Sequence, residues 1–231
     1  MRRSLLRTSL FAAVATALAI SAARAAPMIS IEVFDDNVAV GPGAGPTTSG
    51  HLTYDTSDAN FSSISVTSTG APITPDPSFG TTTFNVHSDG TGTNTLLIEA
   101  TETGLTGATA AKLLSSFTFN ALLDPGAFLT SIGSNYVDAG NGAFAKTTLI
   151  ATTGNVNGAL DFASPEISFS PIPTAPFSET EIWTLTISGG PAEAQSAAQI
   201  IGAVPEPASL ALLGTGLFGL GILRRRLSRR T

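Results

Sequence analysis

The 231-residue sequence has no cysteine. That excludes disulfides, thiolate metal sites, iron–sulfur clusters and thiol nucleophiles, so the fold has to be held by its apolar core. Basic residues are nearly missing from the middle of the chain. Nine of the eleven Lys and Arg residues lie in the first 24 or last eight positions, leaving only Lys112 and Lys146 between them. From Ala26 to Ala203 these two lysines face sixteen carboxylates, a net charge of −14. Such a body does not attract nucleic acid or an anionic membrane through its net charge. Aromatic surface is also scarce in polar form, with one Trp and two Tyr. Neither an HExxH zinc motif nor a GxSxG nucleophile elbow occurs, and the two histidines, His51 and His87, are 36 positions apart.

What is there is concentrated first at the two ends. Met1 to Arg7 carries Arg2, Arg3 and Arg7, Ser9 to Ile20 is apolar, and Ala23-Arg24-Ala25 supplies small residues at a cleavage site. This predicts a secretory signal peptide over 1–25, cut after Ala25. Arg2-Arg3 loosely fits a twin-arginine pattern, but general secretion is favoured because no cofactor site is visible. At the other end, Val204-Pro205-Glu206-Pro207 precedes an uncharged apolar run, Ala208 to Leu223, and then Arg224, Arg225, Arg226, Arg229 and Arg230. Sixteen residues make a helix of ~24 Å, short of a ~30 Å hydrocarbon core. Snorkelling arginines and local thinning cover the gap, which suits a temporary transmembrane anchor with a basic cytoplasmic end at 224–231. Gly214-Thr215-Gly216-Leu217-Phe218-Gly219 matches GxGxxG in letters, but it follows no strand and lies inside the apolar run, so it reads as coincidence.

The order Val204-Pro205-Glu206-Pro207, Gly-rich apolar stretch, Arg224-Arg225-Arg226 resembles the PEP-CTERM sorting signal of exported bacterial proteins. The resemblance implies that 204–207 is a processing motif and that Arg224–Arg226 act as a stop signal. It also implies that an exosortase is the processing partner. The source would be a Gram-negative bacterium, and the product would reach the cell surface or an exopolysaccharide matrix. It implies nothing about the activity of the body.

The body reads as all-β. Ile29, Ile31 and Val33 alternate with polar residues, as do Leu52 and Tyr54, Phe84 and Val86, Phe117 and Phe119, and most clearly Trp183, Leu185 and Ile187. Further candidate strands are 62–67, 95–101, 129–137, 147–152 and 166–169. Period-two alternation means strands with one buried face. Asp89-Gly90, Asn141-Gly142 and Asn157-Gly158 predict tight turns. The expected fold is an antiparallel β-sandwich, jelly-roll or Ig-like, over 26–188, flanked by the signal helix and the C-terminal transmembrane helix. Residues 189–203, small and polar, predict a linker with a short helix over 192–201 as an option.

Chemistry is sparse in this body. Asp35-Asp36 at a strand end is the candidate for a calcium site, because hard oxygen ligands on loops suffice; otherwise no cofactor is expected. Glu179 with Glu181, and Asp55 with Asp58, are the closest carboxylate pairs; a glycosidase would need two such groups facing one cleft. Thr91, Thr93 and Thr95, Thr101 and Thr103, and Thr184 and Thr186 alternate on presumed outer faces, which raises ice binding, although no constant period repeats. The preferred function is an exported, non-catalytic surface or matrix protein associated with exopolysaccharide. A secreted polysaccharide hydrolase, or a calcium- or ice-binding module, is the alternative.

Overall fold

The computed structural model describes residues 26–107, 110–156, 162–173 and 176–203. They form two antiparallel seven-stranded sheets facing one another. The strands are β1 (Met28–Asp35), β2 (Val38–Ala39), β3 (Ala44–Thr47), β4 (His51–Thr56), β5 (Phe61–Thr69), β6 (Thr81–Ser88), β7 (Thr93–Leu105) and β8 (Lys112–Leu123). They continue with β9 (Phe128–Asp138), β10 (Thr148–Thr152), β11 (Phe162–Ala163), β12 (Ile167–Phe169), β13 (Phe177–Ser188) and β14 (Ala192–Ala203). A single 3-10 turn at Pro125–Ala127 is the one helical element among the described residues. The first sheet runs β10-β9-β13-β7-β1-β2, with β3 also on β1; the second runs β11-β8-β14-β6-β5-β4, with β12 also on β8.

Alternation in the sequence maps onto this core directly. Ile29, Ile31 and Val33, Leu96 and Ile98, and Trp183, Leu185 and Ile187 point from the first sheet into the core, where Phe84, Val86, Phe117 and Phe119 meet them from the second. Trp183 is the centre. Its ring lies 5.7 Å from Phe84 and 5.9 Å from Phe117, both edge-on, and 5.8 Å from Phe119. Each such aromatic pair adds about 1 kcal/mol beyond area burial.

The predicted linker is a correction. Residues 192–203 are β14, an inner strand paired with β8 and β6. They alternate as well, with Ala192, Ala194, Ser196, Ala198 and Ile200 inward, but the inward side chains are mostly too small to register as a hydrophobic stripe. Their smallness is structural. Phe84, Ser196 and Phe119 stand in one cross-strand row, and the short residue between the two rings leaves room for the Trp183 indole. The folded body therefore runs to Ala203, and neither the linker nor the optional helix exists.

Asn141 has φ 59°, as a tight turn requires, and its Oδ1 accepts the Gly104 N–H at 2.6 Å. Asp89-Gly90 instead begins a crossing from β6 to β7, in different sheets, and the positive φ falls on Gly92. Asn157-Gly158 lies outside the described residues, as do the predicted signal peptide and transmembrane helix. Among the described residues no helix is long and apolar enough to cross a membrane.

Candidate functional site: a neutral polar sheet face above a buried acid cluster

The outer face of the second sheet is laid out by strand register. One row crosses it as Thr53, Thr67, Thr83, Ala197 and Thr118, and the next as Asp55, Ser65, Asn85, Gln195 and Asn120. Neighbouring strands are ~4.8 Å apart, so hydroxyl and amide groups repeat at that spacing across five strands. Ala197, the one short apolar residue in these rows, forms the floor of a shallow depression of about 270 Å³ lined by Ser65, Thr67, Thr83, Asn85, Thr118, Asn120 and Gln195. Thr53 and Thr67 hydroxyls are 3.2 Å apart, and Ser65 Oγ donates to Asp55 Oδ1 at 2.6 Å. Apart from Asp55 at the edge strand, these two rows carry no charge. The arrangement offers many neutral donors and acceptors on a rigid surface, the chemistry that matches hydroxyl-rich ligands.

The interior holds a different group. Glu102 on β7 is in register with Glu179 on β13, and Glu181 follows two residues later on the same inward face. All three are buried. The 70–80 loop closes over them: Ala71 N–H donates to Glu102 Oε1 at 2.7 Å and Phe79 N–H to Glu179 Oε2 at 3.0 Å. Burial is the main cause of raised pKa values here, pushing Glu102 and Glu181 up to about 8 and Glu179 well above the ordinary carboxylate range. Repulsion from neighbouring carboxylates adds to the rise at Glu102 and Glu179, while backbone N–H groups oppose it. Thr82 and the Ile200 backbone approach Glu181 and lower its pKa somewhat, but neither of its oxygens has a well-formed hydrogen bond. Glu102 Oε2 and Glu179 Oε1 are unpartnered too. Three neutral carboxyls in a closed interior are the consistent protonation state near pH 7.

The candidates read from sequence are distributed as follows. Asp36 and Asn37, with φ 46° and 67°, form the two-residue turn joining β1 to β2, since Asp35 pairs with Val38. Asp36 Oδ1 accepts the Thr95 N–H at 2.8 Å, and Asp35 Oδ2 accepts from Asn60 Nδ2 at 2.6 Å. Burial raises the Asp35 pKa, opposed by the Asn60 hydrogen bond. Among the described residues no group of three His, Asp or Glu side chains is placed to hold a metal ion. His51 and Asp55 share the outer face of β4. Of the polar aromatic residues, which could stack on sugar rings, Trp183 and Tyr54 are core residues and Tyr136 is half-buried on β9 of the first sheet; the Tyr54 hydroxyl donates to the Val40 carbonyl. Thr101 is fully buried beside Thr180 at 3.1 Å, so the outer face of the first sheet is not an open threonine array. Sequence reading paired Glu179 with Glu181 but missed Glu102, which only strand pairing brings to them. It also missed the polar face, because its residues come from five separate strands. Ala23, Ala25, Val204, Pro205, Glu206, Pro207 and Arg224–Arg226 lie outside the described residues.

Comparison with known proteins bears on the C-terminal end. No match is found among curated proteins. Two solved structures show distant likeness: the enzymatically active domain of tailspike protein 4 from bacteriophage CBA120, at 12% identity and TM-score 0.30, and an arabinose-bound α-L-arabinofuranosidase, at 11% and 0.29. The matches cover 68% and 66% of this chain but only 20% and 23% of those chains. The chain thus spans about a fifth of the length of the structures it resembles, at a similarity too low to carry an argument. Residues 203–226 match the PEP-CTERM protein-sorting motif. That motif implies export, anchoring in the membrane at the C-terminal end, and processing by an exosortase; the chain carries a PEP-CTERM sorting motif at that end.

Proposed function

We propose that the chain is an exported, non-catalytic surface protein whose sandwich contacts extracellular polysaccharide through the outer face of the second sheet. The observation that carries this reading is the uncharged depression around Ala197, lined by Thr67, Thr83, Asn85, Thr118, Asn120 and Gln195. Hydrogen bonds rather than ring stacking would supply the affinity at this face, since Trp183 and Tyr54 are in the core and Tyr136 is on β9 of the other sheet. Among the described residues, the inward carboxylates that lie close together, Glu102, Glu179 and Glu181, are shut away from solvent, which favours a binding role over hydrolysis. The preferred polymer is neutral, because a body with a net charge of −14 repels acidic chains. The cell surface or matrix of a Gram-negative bacterium is the destination that goes with this role.

Affinity electrophoresis in gels containing either a neutral polysaccharide such as dextran or acidic alginate tests the proposal. Retardation in the neutral gel alone is expected, and Asn85→Ala combined with Gln195→Ala should abolish most of it without changing the melting temperature. Equal mobility in all gels, or retardation untouched by the double substitution, would overturn the assignment.

A further inference from the structure

We infer that the sandwich stands end-on against the phospholipid surface while its sorting tail is in the membrane, with one specified end facing the headgroups. The inference rests on the sorting reading of the C-terminal end and is independent of the polysaccharide face.

Both chain connections lie at this end. β1 starts there, with Met28 opposite Thr103, and β14 finishes there, with Ala203 opposite Lys112. The Ala203 carbonyl accepts the Ala111 N–H at 2.9 Å, Gly202 N–H donates to Ser78 Oγ at 3.0 Å, and Ile200 N–H to the Phe79 carbonyl at 3.1 Å. The last residues of β14 are therefore stitched into the sheet and its closing loop up to the first residue of the sorting motif. Four residues span at most roughly 14 Å, so Pro207 cannot be farther than that from Ala203. The folded body therefore ends within that distance of the residue preceding the apolar run.

Charge follows the same axis. The far end carries Asp35, Asp36, Asp58, Asp89, Asp124 and Glu193, at the ends of strands or in the turns beyond them. At the exit end the carboxyls are fewer and each is hydrogen-bonded or inside, with Asp76 half-buried. Asp76 accepts from Thr106 N–H and Oγ1 at 2.7 and 2.6 Å, Asp138 accepts from Thr147 Oγ1 and Gly142 N–H, and Glu102, Glu179 and Glu181 are inside. Among the described residues the exposed carboxylate next in line is Glu166, near the level of Ser116 and roughly 13 Å up the sheet from Lys112. Of the body's two lysines, Lys112 is exposed at this end, whereas Lys146, in the loop before β10, is joined to Glu99 midway along β7. Met28 and Ile73 are exposed here as well, the latter by 60%. A twelve-residue strand such as β13 is ~40 Å long, several times the ~8 Å screening length at physiological salt. The far-end acids are thus out of electrostatic reach of the bilayer only when the exit end faces it. The body's net charge would repel an anionic surface, but its distribution selects the single orientation in which that repulsion is weakest.

The absence of cysteine makes site labelling specific. Full chain carrying Ile73→Cys at the exit end, or Leu122→Cys at the far end, is spin-labelled and reconstituted into phosphatidylethanolamine–phosphatidylglycerol vesicles containing a nickel-chelating lipid. Relaxation enhancement by headgroup nickel should be at least fivefold greater at position 73 than at 122. A twelve-residue Gly-Ser insertion after Ala203 should reduce that ratio. Equal or reversed enhancement in chains that float with the vesicles overturns this inference alone. A chain that does not float overturns both it and the sorting reading. A ratio unchanged by the insertion refutes the short tether, and an asymmetry seen only when an exosortase is added assigns the surface to that enzyme instead.

Discussion

Replacing Glu181 with glutamine should stabilise the protein at neutral pH and leave it nearly unchanged near pH 4.5. Glu181 is buried among apolar and uncharged groups, with its pKa raised from 4.5 to about 8 chiefly by burial. Below pH 4.5 the carboxyl is protonated in both folded and unfolded chains and contributes no pH dependence. Between pH 4.5 and 8 the unfolded chain releases its proton while the folded chain keeps it, so stability falls as pH rises. Above about 8 both states are ionised and the loss is complete. One pKa unit corresponds to ~1.4 kcal/mol, so by pH 7 the loss at this one residue is roughly 3 kcal/mol. Glutamine keeps the shape and a hydrogen-bond donor but does not titrate. For a domain of this size each kcal/mol moves the melting temperature by ~2–4 °C, so the variant should melt about 10 °C higher than the parent at pH 7 relative to their difference at pH 4.5. Thermal melts of the full chain in mild detergent, read by the fluorescence of the single Trp183, measure this directly. A parent stability that is flat or increases from pH 4.5 to 8, or a parent–variant difference independent of pH, would refute the argument that a neutral carboxyl is held in the core.

Three further outcomes are expected. Gly70→Ala should destabilise by about 1–3 kcal/mol, because a Cβ there would sit within van der Waals distance of the Glu102 carboxylate although the Gly70 backbone itself is unstrained; Glu102→Ala should suppress that effect in a double-mutant cycle. Gly133→Ala should likewise lose about 1–3 kcal/mol and shift the Trp183 emission, since the added carbon would lie 2.6 Å from Phe117 Cδ1 and 3.0 Å from Trp183 Cζ2. Asp138 behaves oppositely to the buried glutamates: the Thr147 hydroxyl, then the Gly142 N–H, hold its pKa below the ordinary carboxylate value. Its stabilisation is present above pH ~4 and is lost as pH falls through its folded-state pKa, so Asp138→Ala should speed amide exchange in the 139–147 loop at pH 7 and have less effect near pH 3.

The strands legible in the sequence were those with large inward side chains. Ile29, Ile31 and Val33, or Trp183, Leu185 and Ile187, announce a buried face because each inward residue is bulky and each neighbour polar. β14 obeys the same period with Ala and Ser inward, and size rather than period is what hid it. The calcium candidate at Asp35-Asp36 was legible as a strand end; its use as the β1–β2 turn depends on the pairing of Asp35 with Val38.

The sequence by itself determined the all-β character, the acidity of the body and the sorting signal at its C-terminal end, because alternation, composition and a contiguous motif are properties of the local chain. Tertiary structure decided the rest. It made an apparent linker an inner strand and put Glu102 beside Glu179 across 77 positions. It also assembled the polar face from β4, β5, β6, β8 and β14, and gathered most of the exposed carboxylates toward one end. Each of these depends on which strands become neighbours, and neighbour choice is set by long-range packing around Trp183 rather than by any single segment.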